Sequence, residues 1–196
     1  VTTQPSNNAG CSGSDVDFSV QATNALSYQW QVSTDGGTTW TDVAGATSAT
    51  YSATGVDVND NNNQYRVVIN GACNTVTSNA ATLTVNPLPV VTANGPATAV
   101  CSGSAVTLSG NGASTYTWNN GVTNGVAFNI NNTTTYTVTG TDANGCTSSD
   151  NITVTVNPVP NVVINTTNTS VEEGSTTTLT ASATPATTTF TWLKNG

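Results

Sequence analysis

Residues 26–32 have the pattern of a β-strand with one buried face. Large apolar side chains occupy every second position, at Leu26, Tyr28, Trp30 and Val32, and serine or glutamine lies between them. A period of two is typical of a strand whose alternate residues enter a hydrophobic core. The same core returns as Tyr116-Thr-Trp118 and as Phe190-Thr-Trp192. A mid-strand tryptophan, repeated once per unit, predicts a β-sandwich core built around one large ring.

Other motifs repeat with this strand and divide the chain into three units. Cys101-Ser-Gly-Ser104 copies Cys11-Ser-Gly-Ser14, and the Thr-Val-Asn-Pro motif of residues 84–87 returns at 155–158. We predict one β-sandwich over residues 1–87, a shorter one over 88–158 and a partial one over 159–196. Short strands separated by turn residues favour this all-β architecture, and essentially no helix is expected. The Asn-Pro-x-Pro joints predict short, stiff linkers.

Charge is scarce and excludes several kinds of partner. Only 6% of residues are charged, against about 25% in ordinary domains, and the net charge is −8. Arg66 and Lys194 are the only cations, so the chain cannot neutralise a nucleic-acid backbone. Anionic membrane surfaces are disfavoured for the same reason. No apolar run reaches membrane length, so no membrane insertion is expected.

The four cysteines predict disulfide bonds. The chain has neither histidine nor a Cys-x-x-Cys motif, so disulfides are favoured over a zinc site. One pair falls in each of the two full repeats, which predicts Cys11 bonded to Cys73 and Cys101 bonded to Cys146. Each bond would contribute about 4 kcal/mol by closing a long loop. Disulfides indicate an oxidising compartment, so we expect an extracellular or cell-surface segment of a mature, processed chain.

The third unit holds only part of a sandwich. Glu172 stands where the first two units have cysteine, while Leu179 and Trp192 are predicted to hold core positions. Because half a sandwich cannot bury its inner face, two alternatives stay open. This unit is either cut from a longer protein or completed by strands of another chain. Edge strands with so few charges are poorly guarded against such pairing.

The order of motifs resembles a known class of repeats. Cys…Tyr-x-Trp…Tyr-x-Val…Asp-Ala-Asn-Gly-Cys…Thr-Val-Asn-Pro is similar to the tandem immunoglobulin-like and PKD-like repeats of giant secreted surface adhesins. Such proteins occur in gliding-type bacteria of the Bacteroidota, where the type IX secretion system exports many of them. The resemblance implies tandem immunoglobulin-like β-sandwiches and secretion. Phe18 and Val67 stand where antibody domains carry the inter-sheet cysteines.

Residues 33–40 contain a candidate sugar-related motif. Ser33-x-Asp35-x-Gly37-x-Thr39-Trp40 matches the Asp-box pattern that recurs in sialidases. A sialidase needs several arginines for its substrate carboxylate, and this chain has one. We therefore predict a structural hairpin in which Asp35 accepts backbone N–H groups across the turn. Trp40 is a candidate for stacking on a sugar, and the alternative is a lid on the core.

Residues 57–61 contain a weak candidate calcium site. Asp57-Val-Asn59-Asp60-Asn61 resembles the calcium linker of cadherins, and Asp57, Asn59 and Asp60 supply hard oxygen ligands. The motif lies inside a unit rather than between two units. Ordinary loop chemistry is therefore the favoured interpretation, with Ca²⁺ as the alternative; no other cofactor is expected.

The sequence shows no catalytic constellation. Histidine is absent and the acidic residues are scattered over turns of separate units, so we predict that the chain is not an enzyme. We predict a structural or adhesive segment of a long extracellular bacterial surface protein, acting as a stiff stalk or filament. Its expected partners are neighbouring immunoglobulin-like domains of the same or an identical chain, and surface glycans, host or substratum. The alternative is a carbohydrate-binding or spacer module of a secreted enzyme.

Overall fold

The computed structural model describes residues 1–186 and 189–193, and their regular structure is almost wholly β. The strands in chain order are β1 (Asn8–Cys11), β2 (Val16–Ser19), β3 (Ala25–Ser33), β4 (Thr41–Asp42), β5 (Thr50–Ala53), β6 (Gln64–Gly71), β7 (Thr75–Thr77), β8 (Ala81–Asn86), β9 (Thr92–Asn94), β10 (Val100–Cys101), β11 (Ser104–Thr107), β12 (Ser109–Asn111), β13 (Thr115–Trp118), β14 (Ala127–Ile130), β15 (Thr134–Thr141), β16 (Thr147–Val154), β17 (Val156–Asn157), β18 (Asn161–Thr166) and β19 (Leu179–Thr184). A single 3₁₀ turn, Val58–Asp60, is the only helical element in the described ranges.

The first repeat forms two sheets with immunoglobulin-like connections. One sheet has the order β1-β8-β6-β3-β4, with β7 also paired to β6, and the other pairs β2 with β5. β1 runs parallel to β8, whereas β6 lies between β3 and β8 and is antiparallel to both. β2 and β5 thus lie in a different sheet from the strands that precede and follow them in the chain, as in the immunoglobulin sandwich. The all-β, immunoglobulin-like fold predicted from the sequence is confirmed.

Trp30 lies at the centre of the first core. Its ring is fully buried and it pairs across the sheet with Val67, which is also fully buried. Phe18, from the opposite sheet, stacks on Tyr65 with ring centroids 4.8 Å apart. The indole N–H of Trp30 donates to the carbonyl of Ser48 at 2.9 Å, so the ring is buried without losing a hydrogen bond.

Leu26 departs from the predicted pattern. It is 74% exposed although it continues the alternation of Tyr28 and Trp30. The pairing of β3 with β6 shifts register between Ala25 and Ser27, which leaves Leu26 at an irregularity in the strand. An extra residue in one strand turns its side chain away from the ladder, so the prediction of a buried Leu26 is wrong.

The second repeat again contains a tryptophan strand, β13, which is shorter than β3. β13, β15 and β16 form one sheet, while β11 pairs with β14, β10 with β17 and β12 with β9. Trp118, Leu108 and Val138 are buried, as the repeat predicts. The indole N–H of Trp118 donates to the side-chain oxygen of Asn124 at 3.0 Å, in place of the backbone acceptor that Trp30 uses.

The third unit is represented by the antiparallel pair β18–β19. Leu179 is 50% exposed and Trp192 is 51% exposed, so their predicted core positions are not buried in this structure. Two strands offer no second sheet against which to pack, which accounts for the exposure. Completion of this unit by another chain stays a prediction. Lys194 lies outside the described residues.

Contacts group the chain into two compact units. The first comprises Val1–Thr92, Asn111–Tyr116 and Thr139–Ser149, and the second comprises Ala93–Gly110, Thr117–Val138 and Asp150–Gly196. The contact units are not identical with the sequence repeats. The division at residues 87 and 158 therefore stays a prediction.

Candidate functional site

The cysteines pair differently from the prediction. Cys11 is bonded to Cys146, with Cα atoms 5.6 Å apart and a sequence separation of 135. Cys73 and Cys101 are free and exposed. The predicted bonds Cys11–Cys73 and Cys101–Cys146 are therefore both absent. Four cysteines allow three connectivities, and the sequence alone does not choose among them.

Strand geometry explains why Cys11 and Cys73 of the first repeat do not bond to each other. In the parallel pair β1–β8, Cys11 lies opposite Asn86, beyond the Gln64 end of β6. Cys73 follows Gly71, at the other end of that strand. An eight-residue strand separates its two ends by roughly 23 Å at a rise of about 3.3 Å per residue. A disulfide needs Cα atoms about 4.4–6.8 Å apart, so Cys11 and Cys73 cannot meet.

Asp35 organises the hairpin between β3 and β4. Its carboxylate accepts hydrogen bonds from the Thr39 hydroxyl at 2.6 Å, the Ser33 hydroxyl at 2.7 Å and the backbone N–H groups of Thr38 and Thr39 at 2.9–3.0 Å. The Thr39 bonds, followed by those from Ser33 and Thr38, lower the pKa of Asp35 to about 2. Every partner lies within four residues, so the motif is a self-capped turn, and the predicted structural role is confirmed.

Trp40 packs against a cation on the outer face of the larger sheet. The guanidinium carbon of Arg66 lies 4.1 Å from the centre of the Trp40 ring, a cation–π contact. Arg66 also donates to the side-chain oxygen of Gln31 at 2.8 Å, and Gln31 donates to Asp42 at 2.8 Å. Trp40 is half-buried and lies outside the core cluster of the first repeat. One ring face is thus covered by Arg66, an interaction across 26 positions that the sequence did not indicate.

The acidic loop of residues 57–61 caps its own turn. Asp57 accepts the backbone N–H of Asn59 at 2.6 Å, and its own N–H donates to Asp60 at 3.0 Å. The second oxygen of Asp60 accepts the buried Asn63 side chain at 3.2 Å. This reciprocal capping box occupies oxygens that a cation would need. The favoured loop chemistry is therefore present, and a calcium site at Asp57, Asn59 and Asp60 stays a prediction.

A cleft beside Cys73 was not foreseen. It has a volume of about 600 Å³ and is lined by Val1, Leu26, Val76 and Cys73. Leu26, Val1 and Val76 are 74%, 40% and 39% exposed. Thr23, Asn24 and Asn74 add polar groups to the lining. The irregularity in β3 exposes Leu26 on one wall of the cleft, and periodicity alone gives no signal for it.

The described ranges were searched for side chains that could hold a metal ion together. Among residues 1–186 and 189–193, no cluster of three or more histidine, cysteine, aspartate or glutamate side chains is suited to a metal ion.

Burial, with the charge of Asp60 and the neighbouring Tyr51, raises the pKa of Tyr65 to about 12. This tyrosine is a core residue, since its ring stacks on Phe18. In that part of the chain, no helix is long and apolar enough to cross a membrane.

Comparisons with known proteins found one family model and a set of solved structures. Residues 2–87, less than half of the chain, match the model of a domain of unknown function (DUF8696). No curated protein matches the chain. Two similar crystal structures each contain the four N-terminal Ig domains of Dscam1. Isoform 6.9 matches with 16% identity and a TM-score of 0.39, over 78% of this chain and 43% of that chain. Isoform 9.44 matches with 18% identity and a TM-score of 0.40, over 80% of this chain and 44% of that chain. The eight N-terminal Ig domains of DSCAM isoform 1.30.30 match with 16% identity and TM-score 0.37, over 83% of this chain and 28% of that one. The chain spans less than half the length of these structures, and likeness at this level concerns the fold alone.

Proposed function

We propose that this chain is a load-bearing structural segment of a long extracellular bacterial surface protein, in which immunoglobulin-like domains form a stiff stalk or filament that displays an adhesive surface. It is not an enzyme, it inserts in no membrane and it binds no nucleic acid. Its partners are neighbouring domains of the same or an identical chain. The disulfide supports an oxidising compartment, and the scarcity of cations argues against nucleic-acid partners. Export by a gliding-type bacterium rests on the sequence resemblance.

The Cys11–Cys146 bond is the observation that carries this proposal. When the two chain ends are pulled, force reaches Cys11 and crosses directly to Cys146 through the disulfide. The residues between them lie in a closed covalent loop and cannot be extended. Most of the first two repeats is thereby protected from mechanical unfolding, which is what a segment under tension between a cell and a surface requires.

Single-molecule pulling by handles at residues 1 and 196 tests the load path. The bond spans 135 positions, so reduction should release roughly 450–490 Å of additional extended length at about 3.3–3.6 Å per residue. The oxidised chain should extend by that much less than the reduced chain. Cys73→Ala is the matched control and should extend like the wild type, since Cys73 is free. Equal extension of oxidised and reduced chains would refute the load path.

A carbohydrate-binding module is the second candidate, and a half-buried tryptophan on a hairpin favours it. Because Arg66 covers one face of Trp40, a sugar would have to use the other face or displace the arginine. This function requires saturable quenching of tryptophan fluorescence by a glycan, and loss of that response in Trp40→Ala. Arg66→Gln is the informative partner variant, since uncovering the ring should strengthen stacking. A glycan panel without any response would dispose of this candidate.

A further inference from the structure

Arg66 lies in a row of side chains that crosses the outer face of the larger sheet. It is opposite Gln31 of β3, and Gln31 is opposite Asp42 of β4. Neighbouring strands are about 4.8 Å apart, which places Asp42 roughly 10 Å from Arg66. The Gln31 amide lies between them, since it accepts the Nε–H of Arg66 and donates to Asp42, each at 2.8 Å. A neutral amide thus separates the cation from the carboxylate at the end of its row.

The Arg66 guanidinium has no anionic partner. Within residues 1–186 and 189–193, its side chain hydrogen-bonds to Gln31, stacks on Trp40 and forms no ion pair. The chain carries ten acidic residues, yet none of those in the described ranges pairs with this cation. Because only the Nε–H is used, the donors of both terminal nitrogens are left free at the edge of the guanidinium.

Trp40 fixes the orientation of the guanidinium. The guanidinium carbon lies 4.1 Å from the centre of the ring, and the ring is itself held, because its indole N–H donates to the carbonyl of Gly37 at 3.0 Å. Stacking uses the face of a guanidinium, whereas a carboxylate binds its edge through two parallel N–H···O bonds. The two contacts do not compete, so an anion can bind Arg66 without displacing it from Trp40.

A second amide lies beside the tryptophan ring. Gln64 is two positions before Arg66 on β6 and therefore points to the same outer face. A Cβ at Gly37 would lie 2.9 Å from Oε1 of Gln64 and 3.7 Å from the Trp40 ring, so the hairpin is close to both. In the described part of the chain, the Gln64 amide has no hydrogen-bond partner, which leaves its donors and acceptor free for the hydroxyl groups of a ligand. We call Gln31, Trp40, Gln64 and Arg66 the Arg66 site.

We propose that the Arg66 site binds a saccharide that carries a single carboxylate, such as a terminal uronic acid. The carboxylate accepts hydrogen bonds from both terminal nitrogens of Arg66, and hydroxyl groups of the sugar bond to the amide of Gln64. Charge complementarity limits the ligand to one carboxylate. The site offers one cation, and the net charge of −8 repels a polyanion.

This proposal goes beyond the stalk function, because a segment can bear load without binding a ligand. Its failure would leave the load path through Cys11 and Cys146 untouched. It also differs from the stacking of a neutral sugar on Trp40, in which Arg66 is an obstacle. The two modes predict opposite effects of Arg66→Gln, since loss of the arginine uncovers the ring for a neutral sugar and removes the main donor for an acidic one.

Nuclear magnetic resonance reads the site directly, because Arg66 is the only arginine in the chain and gives a single side-chain Nε–H signal. The ¹⁵N-labelled whole chain is titrated with methyl glucuronide, methyl glucoside or sodium acetate at constant ionic strength. Methyl glucuronide should shift the Arg66 Nε–H and Trp40 indole signals saturably. It should bind about tenfold or more tightly than methyl glucoside, as expected for charge-assisted hydrogen bonds, and more tightly than acetate.

Each control tests one part of the proposal. Equal affinity for methyl glucoside would overturn the role of the carboxylate, and equal affinity for acetate would overturn recognition of the sugar. Shifts that do not saturate, or no shifts, would overturn the site as a whole.

Variants of the whole chain, followed by the Trp40 indole signal, assign the binding to named side chains. Arg66→Gln should weaken binding of methyl glucuronide about tenfold or more. Arg66→Lys keeps the charge without the planar fork and should restore only part of the affinity. Gln64→Ala should weaken binding of methyl glucuronide and leave binding of acetate unchanged.

Asp17→Asn is the control for net charge, because Asp17 lies on β2 in the other sheet. It should leave the affinity for methyl glucuronide unchanged. Undiminished binding by Arg66→Gln, or an equally large change in Asp17→Asn, would refute the assignment to Arg66.

Discussion

Removing the Cys11–Cys146 bond should cost more stability than removing any other cysteine. The bond closes a loop across 135 positions, which corresponds to about 5 kcal/mol in the chain-entropy model. Cys11→Ala and Cys146→Ala should therefore each lower the free energy of unfolding by up to about 5 kcal/mol. The main effect is on the unfolded chain, which gains conformational freedom.

Cys73→Ala is the matched control. Cys73 is exposed and free, so its replacement should change stability by no more than about 0.5 kcal/mol. Pairing within each repeat makes the opposite prediction, since Cys73→Ala would then match Cys11→Ala. The double variant Cys11→Ala/Cys146→Ala should unfold with a free energy no lower than that of the less stable single variant. Both single substitutions remove the same bond, so their losses should not add.

Urea unfolding followed by tryptophan fluorescence measures these differences. Trp30 lies in the core of the repeat that carries Cys11, so its emission reports the relevant transition. Reductant should bring the wild type to the level of the single variants and leave those variants unchanged. If Cys73→Ala proved as destabilising as Cys11→Ala, or if the single losses added in the double variant, the connectivity would be wrong.

Four further predictions concern the first repeat. The pKa of Asp35 is about 2 in the folded protein, below its ordinary value of 3.8. Asp35→Asn should therefore lower the melting temperature most above pH 4, and its difference from the wild type should shrink towards pH 2. Asp17→Asn is the control. The pKa of Tyr65 is raised from 10.0 to about 12. The melting temperature of the wild type should therefore fall between pH 10 and 12, and that of Tyr65→Phe should fall less. Trp30→Ala should cost about 3–5 kcal/mol in urea unfolding, whereas Leu26→Ala should stay within about 0.5 kcal/mol; equal losses would mean that Leu26 is buried. Millimolar Ca²⁺ should leave the melting temperature unchanged, since Asp57 and Asp60 already accept N–H groups, and a rise reversed by chelator would establish a calcium site instead.

Features built from near neighbours were predictable. The alternation around Trp30 predicts a strand because side chains point to opposite faces with a period of two. The Asp35 hairpin was predictable for a similar reason, since all its hydrogen bonds lie within four residues. The repeat of the tryptophan strand and of the Cys-Ser-Gly-Ser motif, with turn residues between them, was sufficient to predict tandem immunoglobulin-like sandwiches.

Features that depend on register or on distant pairing were not predictable. Leu26 fits the alternation, yet a shift in the pairing of β3 with β6 turns it outwards. Trp40 contacts Arg66 because the sheet places the hairpin after β3 beside the outer face of β6. Neither the shift nor the contact leaves a trace in the order of residues.

The sequence by itself determined that this chain is all-β and immunoglobulin-like, with four cysteines in repeated positions. Only the tertiary structure decided which cysteines meet. Cys11 and Cys73 lie at opposite ends of the strands of the first repeat, and a disulfide reaches only about 4.4–6.8 Å between Cα atoms. The bond therefore forms between Cys11 and Cys146, because proximity in the folded chain, rather than membership of one repeat, brings two thiols together.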